Sequence, residues 1–236
     1  MKFNKEIFND LKPVLKNKGL ANSNYSEHNG GLDFYKSNKD SDYRLTLDLG
    51  LDKKGFVNIY GRISFPYIID ILSTFIELRP NIYEAIVVNY DLYKNKDNWT
   101  KIFKELGALP LQTPFDIQKF ENKIINHVDS YILPFFQKFS NIQDVNDKIL
   151  NLLPIEEYAN YIPGQTNFKV LIIMKLCNSS KYIDFKEWAL EAYNQGVKIN
   201  PTRYGKDHES LKALVNYLDN EDFKELLDAD YGNDRF

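Results

Sequence analysis

DYRLTLDLGLDKKGFVNIYGRISF, residues 42–65, decides the fold of the first half of the chain. Leu45, Leu47, Leu49 and Leu51 alternate with Arg44, Thr46, Asp48 and Gly50. After a DKKG break, Val57, Ile59, Gly61 and Ile63 alternate with Asn58, Tyr60 and Arg62. A period of two sends successive side chains to opposite faces, so the stretch predicts an antiparallel hairpin with one face buried and the other open.

The neighbouring sequence supplies what such a hairpin needs to pack against. Upstream, Leu32, Phe34 and Tyr35 predict a short strand, and the polar run from Asn22 to Gly31 predicts a loop. Further back, Phe3, Ile7, Leu11 and Leu15 recur every four residues, the apolar stripe of a helix. Asn4 is placed to cap that helix and Gly19 to end it in a left-handed turn, while Pro13 removes an internal hydrogen bond and predicts a kink or a split. Downstream, Pro66 suits the first turn of a helix through YIIDILSTFIEL. Between Asn81 and Tyr93, Ile86, Val88, Tyr90 and Leu92 alternate as in a strand, whereas Ile82, Ala85, Ile86 and Asn89 share a helical face; the β-branched density favours the strand.

Beyond Trp99 the period changes to that of helices. Trp99–Leu106 predicts a short one ending at Gly107, and Phe115–Phe139 a long one that Pro134 bends or ends. Val145–Leu153, Phe168–Cys177, Phe185–Asn194, Glu209–Leu218 and Phe223–Leu227 follow, with Asp184 and Glu187 resembling a capping box and Gly196 a stop. The expected architecture is α+β: a small antiparallel sheet of three to four strands packed by helices, then a helical C-terminal part. The expected parts are residues 1–155 and 156–236, with a soft boundary over Asn151–Gln165, the alternative being one continuous domain.

Composition narrows the class. At 236 residues the chain can bury a large core without staples, and its single cysteine, Cys177, can form no internal disulfide. Cys177 sits in the apolar run VLIIMKLC, where a thiol behaves as a small hydrophobe. A net charge of −3 disfavours non-specific nucleic-acid binding. The opening MKFNKEIFNDLK is charged and amphipathic, unlike a signal peptide, and the apolar runs fall short of the ~20 residues a membrane span requires. A cytoplasmic protein is expected.

Sites of chemistry are sparse. The histidines His28, His127 and His208 make no H-x-x-x-H or H-E-x-x-H pair, and no nucleophile elbow, P-loop or G-x-G-x-x-G pattern is present. No catalytic residue, metal or cofactor is therefore expected. His208, between Asp207 and Glu209, is open to a metal or general-base role but reads more simply as a solvated helix start. Asp48 and Asp52 share a strand face, as a cation-binding or catalytic pair or as a solvent-facing edge. Lys94, Lys96, Lys101 and Lys104 flank Trp99, a phosphate- or single-strand-binding pattern that the interleaved Asp91, Asp97 and Glu105 turn towards an ordinary solvated face. The clearest single-sign patch is C-terminal: Asp219, Glu221, Asp222, Glu225 and Asp228, continuing to Asp230 and Asp234. It reads as a solubilising tail or as an acidic surface for a basic protein partner.

Four segments carry a resemblance. FNKEIFNDLKPVLKNKGL (3–20), YRLTLDLGLD (43–52), DNWTKIF (97–103) and ILPFFQKFSNIQDVNDKI (132–149) resemble a bacterial family of domains of unknown function, over residues 3 to 153. Trp99 stands single where that family carries a tryptophan pair, and the helical stretch after 156 lies outside the match. The resemblance implies a compact α+β domain, and some members of such families look like immunity proteins that neutralise the toxins of bacterial competition. The function expected is that of a protein-binding protein, with an enzyme or small-ligand site using Asp48, Asp52 or His208 as the alternative.

Overall fold

A computed structural model describes residues 2–26, 31–49, 56–78, 87–89, 104–109 and 113–223. The chain is α+β, with a five-stranded antiparallel sheet packed by helices and a helical C-terminal part. The expected hairpin is there: β3 (Asp42–Leu49) lies beside β4 (Phe56–Ser64) in a sheet whose spatial order follows the chain, from β1 (Asn22–Tyr25) and β2 (Gly31–Ser37) to β5 (Val88–Asn89). β5 falls within the ambiguous 81–93 stretch, most of which lies outside the described residues.

β1 corrects the expectation of a loop at 22–31. Asn22 pairs with Tyr35 and Tyr25 with Leu32 in an antiparallel ladder. Its side chains are exposed or half-buried, so the backbone ladder makes the strand and no apolar alternation announces it.

The chain divides into two compact units interleaved in sequence: Met1–Asn38, Asp42–Ile63 and Asn89–Lys138 form one, and Lys39–Ser41, Ser64–Val88 and Phe139–Phe236 the other. The 151–165 boundary read from the sequence falls inside the second.

In the first unit α1 (Lys2–Asn17) buries Ile7, Leu11 and Leu15. It starts before Asn4, which therefore does not cap it, and it runs through Pro13 without a break. Pro13 and Asn9, whose carbonyl loses its helical donor, both face solvent, so water can satisfy the freed group. Gly19, at φ +94°, closes the helix in a Schellman turn, with Leu20 N donating to Leu15 O and Gly19 N to Lys16 O, both at 3.0 Å. Thr113 and Asp116 form a capping box at the head of α3 (Pro114–His127). The helix then widens into a π turn (Val128–Ile132) before α4 (Leu133–Lys138). Pro134 thus neither ends the helix nor leaves it regular: the wide turn just before it accommodates a residue that cannot donate.

In the second unit α2 (Pro66–Phe75) packs against α6 (Thr166–Leu176) and α8 (Pro201–Asn220), while α5 (Ile142–Val145) leads into a second π turn. Phe168 through Met174 are all buried, including Lys169, whose Nζ donates to Pro163 O at 2.6 Å, so α6 is wrapped on every side. α7 (Tyr182–Ile199) begins before Asp184 and runs past Gly196, correcting both expected ends. Asp184 lies in the first turn, where the helix dipole favours a carboxylate without a cap. Gly196 is a close-approach residue: a Cβ there would lie 3.1 Å from the ring of Tyr204 on α8. Asn200 caps α8 through Arg203 N. The helix expected from Phe223 does not begin there; Phe223 lies beyond α8, and 224 onward is outside the described residues. No helix among the described residues is long and apolar enough to cross a membrane.

Candidate functional site

The two faces of the sheet are built from the same strands and differ in chemistry. On the apolar face Leu32, Phe34, Leu45, Leu47, Ile59 and Ile63 are buried. Phe8 of α1 stacks on Phe34 at 5.7 Å, and Tyr43 meets Phe136 of α4 edge-on at 5.2 Å. Gly61 belongs to this face; a Cβ there would lie 3.2 Å from Phe136 and 3.4 Å from Ile132, so its lack of a side chain lets β4 approach the helix.

The opposite face carries Asp33 and Tyr35 of β2, which pair with Thr46 and Arg44 of β3, and Tyr60 and Arg62 of β4. This face was expected to be open. Instead Thr46 and Arg62 are each 4% exposed, and Asp33, Tyr35, Arg44, Asp48 and Tyr60 are half-buried. Arg62 Nη2 donates to Thr46 Oγ1 at 3.3 Å, and the Thr46 hydroxyl donates on to Asp33 Oδ1. The guanidinium carbon lies 4.3 Å from the centre of the Tyr60 ring, a stack that suits a flat, weakly hydrated cation. Arg44 lies 5.7 Å from the Tyr35 ring in a looser version of the same pairing.

One feature of this arrangement is out of balance. Nε and Nη1 of Arg62 are buried and have no hydrogen-bond acceptor among the described residues. Burying a charged donor without a partner costs free energy, and the Asp33 carboxylate is linked to Arg62 only through the Thr46 hydroxyl. Sequence reasoning missed Arg62, because an arginine at an alternating strand position looks like a solvent-facing residue. A signal was present: only five of the 30 basic residues are arginine, and two of those five, Arg44 and Arg62, stand on this face.

The residues singled out from the sequence fall elsewhere or apart. Asp48 is half-buried on β3, whereas Asp52, His28, Trp99, Lys94, Lys96 and Lys101 lie outside the described residues. His208 is buried within α8 in the second unit, which corrects the solvated helix start. The helix begins at Pro201, seven residues earlier, so His208 occupies a core-facing position three before Leu211. Of the acidic patch, Asp219 is engaged: Lys186 Nζ and the Tyr182 hydroxyl donate to its two oxygens, each at 2.9 Å. Burial alone raises its pKa, but these two hydrogen bonds outweigh that and hold the carboxyl below its ordinary range. Glu221 and Asp222 are exposed just past α8, and Glu225 and Asp228 lie outside the described residues. Burial pushes the Cys177 thiol up to about 12, which makes it a poor nucleophile.

Two further features stand out. Glu121 on α3 has its pKa raised to about 7, by burial first and then by Asp10 and Glu6 of α1. In the second unit an open cleft of about 450 Å³ is lined by Ile76, Glu77, Gly164, Gln165, Lys206, Asp207 and Ser210. Among the described residues no group of three His, Cys, Asp or Glu side chains is placed to hold a metal ion.

Fold and site together define an α+β protein whose sheet buries one face in its own helices and keeps arginine–tyrosine stacks on the other. Compared with protein-family models, curated proteins and solved structures, the chain matches none.

Proposed function

We propose that this chain is a cytoplasmic protein that works by binding another protein, and that the polar face of its sheet is the recognition surface. The observation that supports the reading is the half-buried pair Arg44–Tyr35 on adjoining strands of this face. Arginine and tyrosine dominate recognition hot spots because they combine a large apolar area with directed donors at low entropic cost. Glu221 and Asp222, exposed beyond α8, add an acidic surface that would steer a basic partner. The narrower form, drawn from the family resemblance, is an immunity protein that neutralises a bacterial toxin by covering it.

The test compares tagged native protein with a Tyr35→Ala/Arg44→Ala variant in low-salt capture from the source lysate, eluted by a salt gradient. The reading expects one stoichiometric partner that the variant loses while its thermal unfolding stays near native. A partner retained at equal strength by the variant removes the sheet face from the mechanism. For the narrower form, the captured protein should arrest growth when expressed alone and not when co-expressed with this chain.

A further inference from the structure

We propose that Arg62 is the anchor of a carboxylate-binding site on the polar face of the sheet. The assignment deepens the reading of that face as a recognition surface and names what the ligand presents to it.

The argument begins with donors. Five N–H bonds surround a guanidinium, and for Arg62 the described interactions account for one of them, to Thr46 Oγ1. Nε and Nη1 are buried and have no acceptor among the described residues. Native structures rarely leave such groups unpaired, and an unsatisfied pair on a full positive charge is a place where an incoming acceptor gains more than it would at the surface. Thr46, whose hydroxyl is itself held by Asp33, accepts from Nη2 and so helps set the orientation of the guanidinium before a ligand arrives.

The charge on the face selects the kind of anion. Asp33, Asp42 and Asp48 stand against Arg44 and Arg62, so the face as a whole does not attract anions from a distance. A dianion such as phosphate would meet those carboxylates at short range. A carboxylate carries one charge and a small volume, meets less repulsion from those aspartates than a dianion does, and can place a single oxygen on Nε or on Nη1, which lie on different edges of the guanidinium. It has two sources, a free organic acid or the end or side chain of a polypeptide, and the chemistry is the same for both. Tyr60 is half-buried with its ring 4.3 Å from the guanidinium carbon, so its removal tests access to these donors.

The experiment follows the arginine Nε–H signals of the full-length ¹⁵N-labelled protein at constant ionic strength. Arg62→Lys identifies the Arg62 signal by its loss, and Thr46→Ser, which keeps the hydroxyl, identifies it independently by a shift should Arg62→Lys fail to fold. Sodium acetate, N-acetylglycine and inorganic phosphate are each titrated to about 50 mM against sodium chloride, a range that reports millimolar affinities. A saturable shift of the Arg62 signal with acetate or N-acetylglycine, weaker with phosphate, is the expected result, and Tyr60→Ala should move half-saturation to lower concentration. Tighter binding of N-acetylglycine than of acetate assigns the site to a chain terminus, and the reverse assigns it to a free acid. No saturable shift with any anion, or a stronger one with phosphate, overturns the assignment. Because the probes are free anions, that failure is separate from a failure to capture a protein partner.

Discussion

Thr46 and Leu47 are neighbours on one strand, and both are buried, yet they belong to opposite kinds of surface. Leu47 lies on the face that Phe8 of α1 and Phe136 of α4 meet with their rings. Thr46 sits between a carboxylate and a guanidinium on a face where two donors of Arg62 lack acceptors. Burial therefore does not measure completeness. The apolar face is finished by folding, whereas the polar face is left short of acceptors, the condition of a surface that gains from a ligand.

Substitutions on the two faces should separate accordingly. Leu47→Ala opens a cavity under the sheet and should lower stability by about 2–5 kcal/mol in urea unfolding. Thr46→Val keeps the shape but strands both Asp33 and Arg62, with an expected loss of about 1–3 kcal/mol in the same assay. Arg62→Met removes the charge together with its unmet donors and should stay within about 1 kcal/mol of the native chain in the same assay. If Arg62→Met proves as damaging as Leu47→Ala, the contrast breaks and Arg62 is a structural residue.

A pH-dependent effect lies away from the sheet and sharpens the same point. The Glu121 carboxyl is raised to about 7 from an ordinary value of 4.5, so the folded state holds its proton where the unfolded chain releases it. Stability should therefore fall as pH rises from about 4.5 to about 7 and level off above, and Glu121→Gln should flatten that part of the thermal-unfolding profile. A slope that survives the substitution would place the titration on another group.

What could be read from the sequence follows from which forces are local. The β3–β4 hairpin was legible because alternation over Leu45, Leu47, Leu49, Ile59 and Ile63 is a property of consecutive residues. The Schellman turn at Gly19 and the helix start at Pro66 were legible for the same reason. The end of α7 was misread because Gly196 serves a contact with Tyr204, across a turn, that has the same one-letter signature as a stop. The polar face was hidden because its content is a relation among three strands: Asp33, Thr46 and Arg62 come together only when the register is known.

β1, the strand that sequence reading passed over, has a consequence for how the protein behaves in concentrated solution. It is the outermost strand at its end of the sheet and spans four residues, Asn22–Tyr25. An edge presents unpaired N–H and C=O groups on which another chain can template itself, and short length with polar side chains is how natural sheets blunt that hazard. Asn22, Ser23 and Asn24 offer nothing apolar to bury against a second copy. The composition that concealed this strand is thus a guard against self-assembly, and an edge rewritten with valine or isoleucine would be an invitation to aggregate.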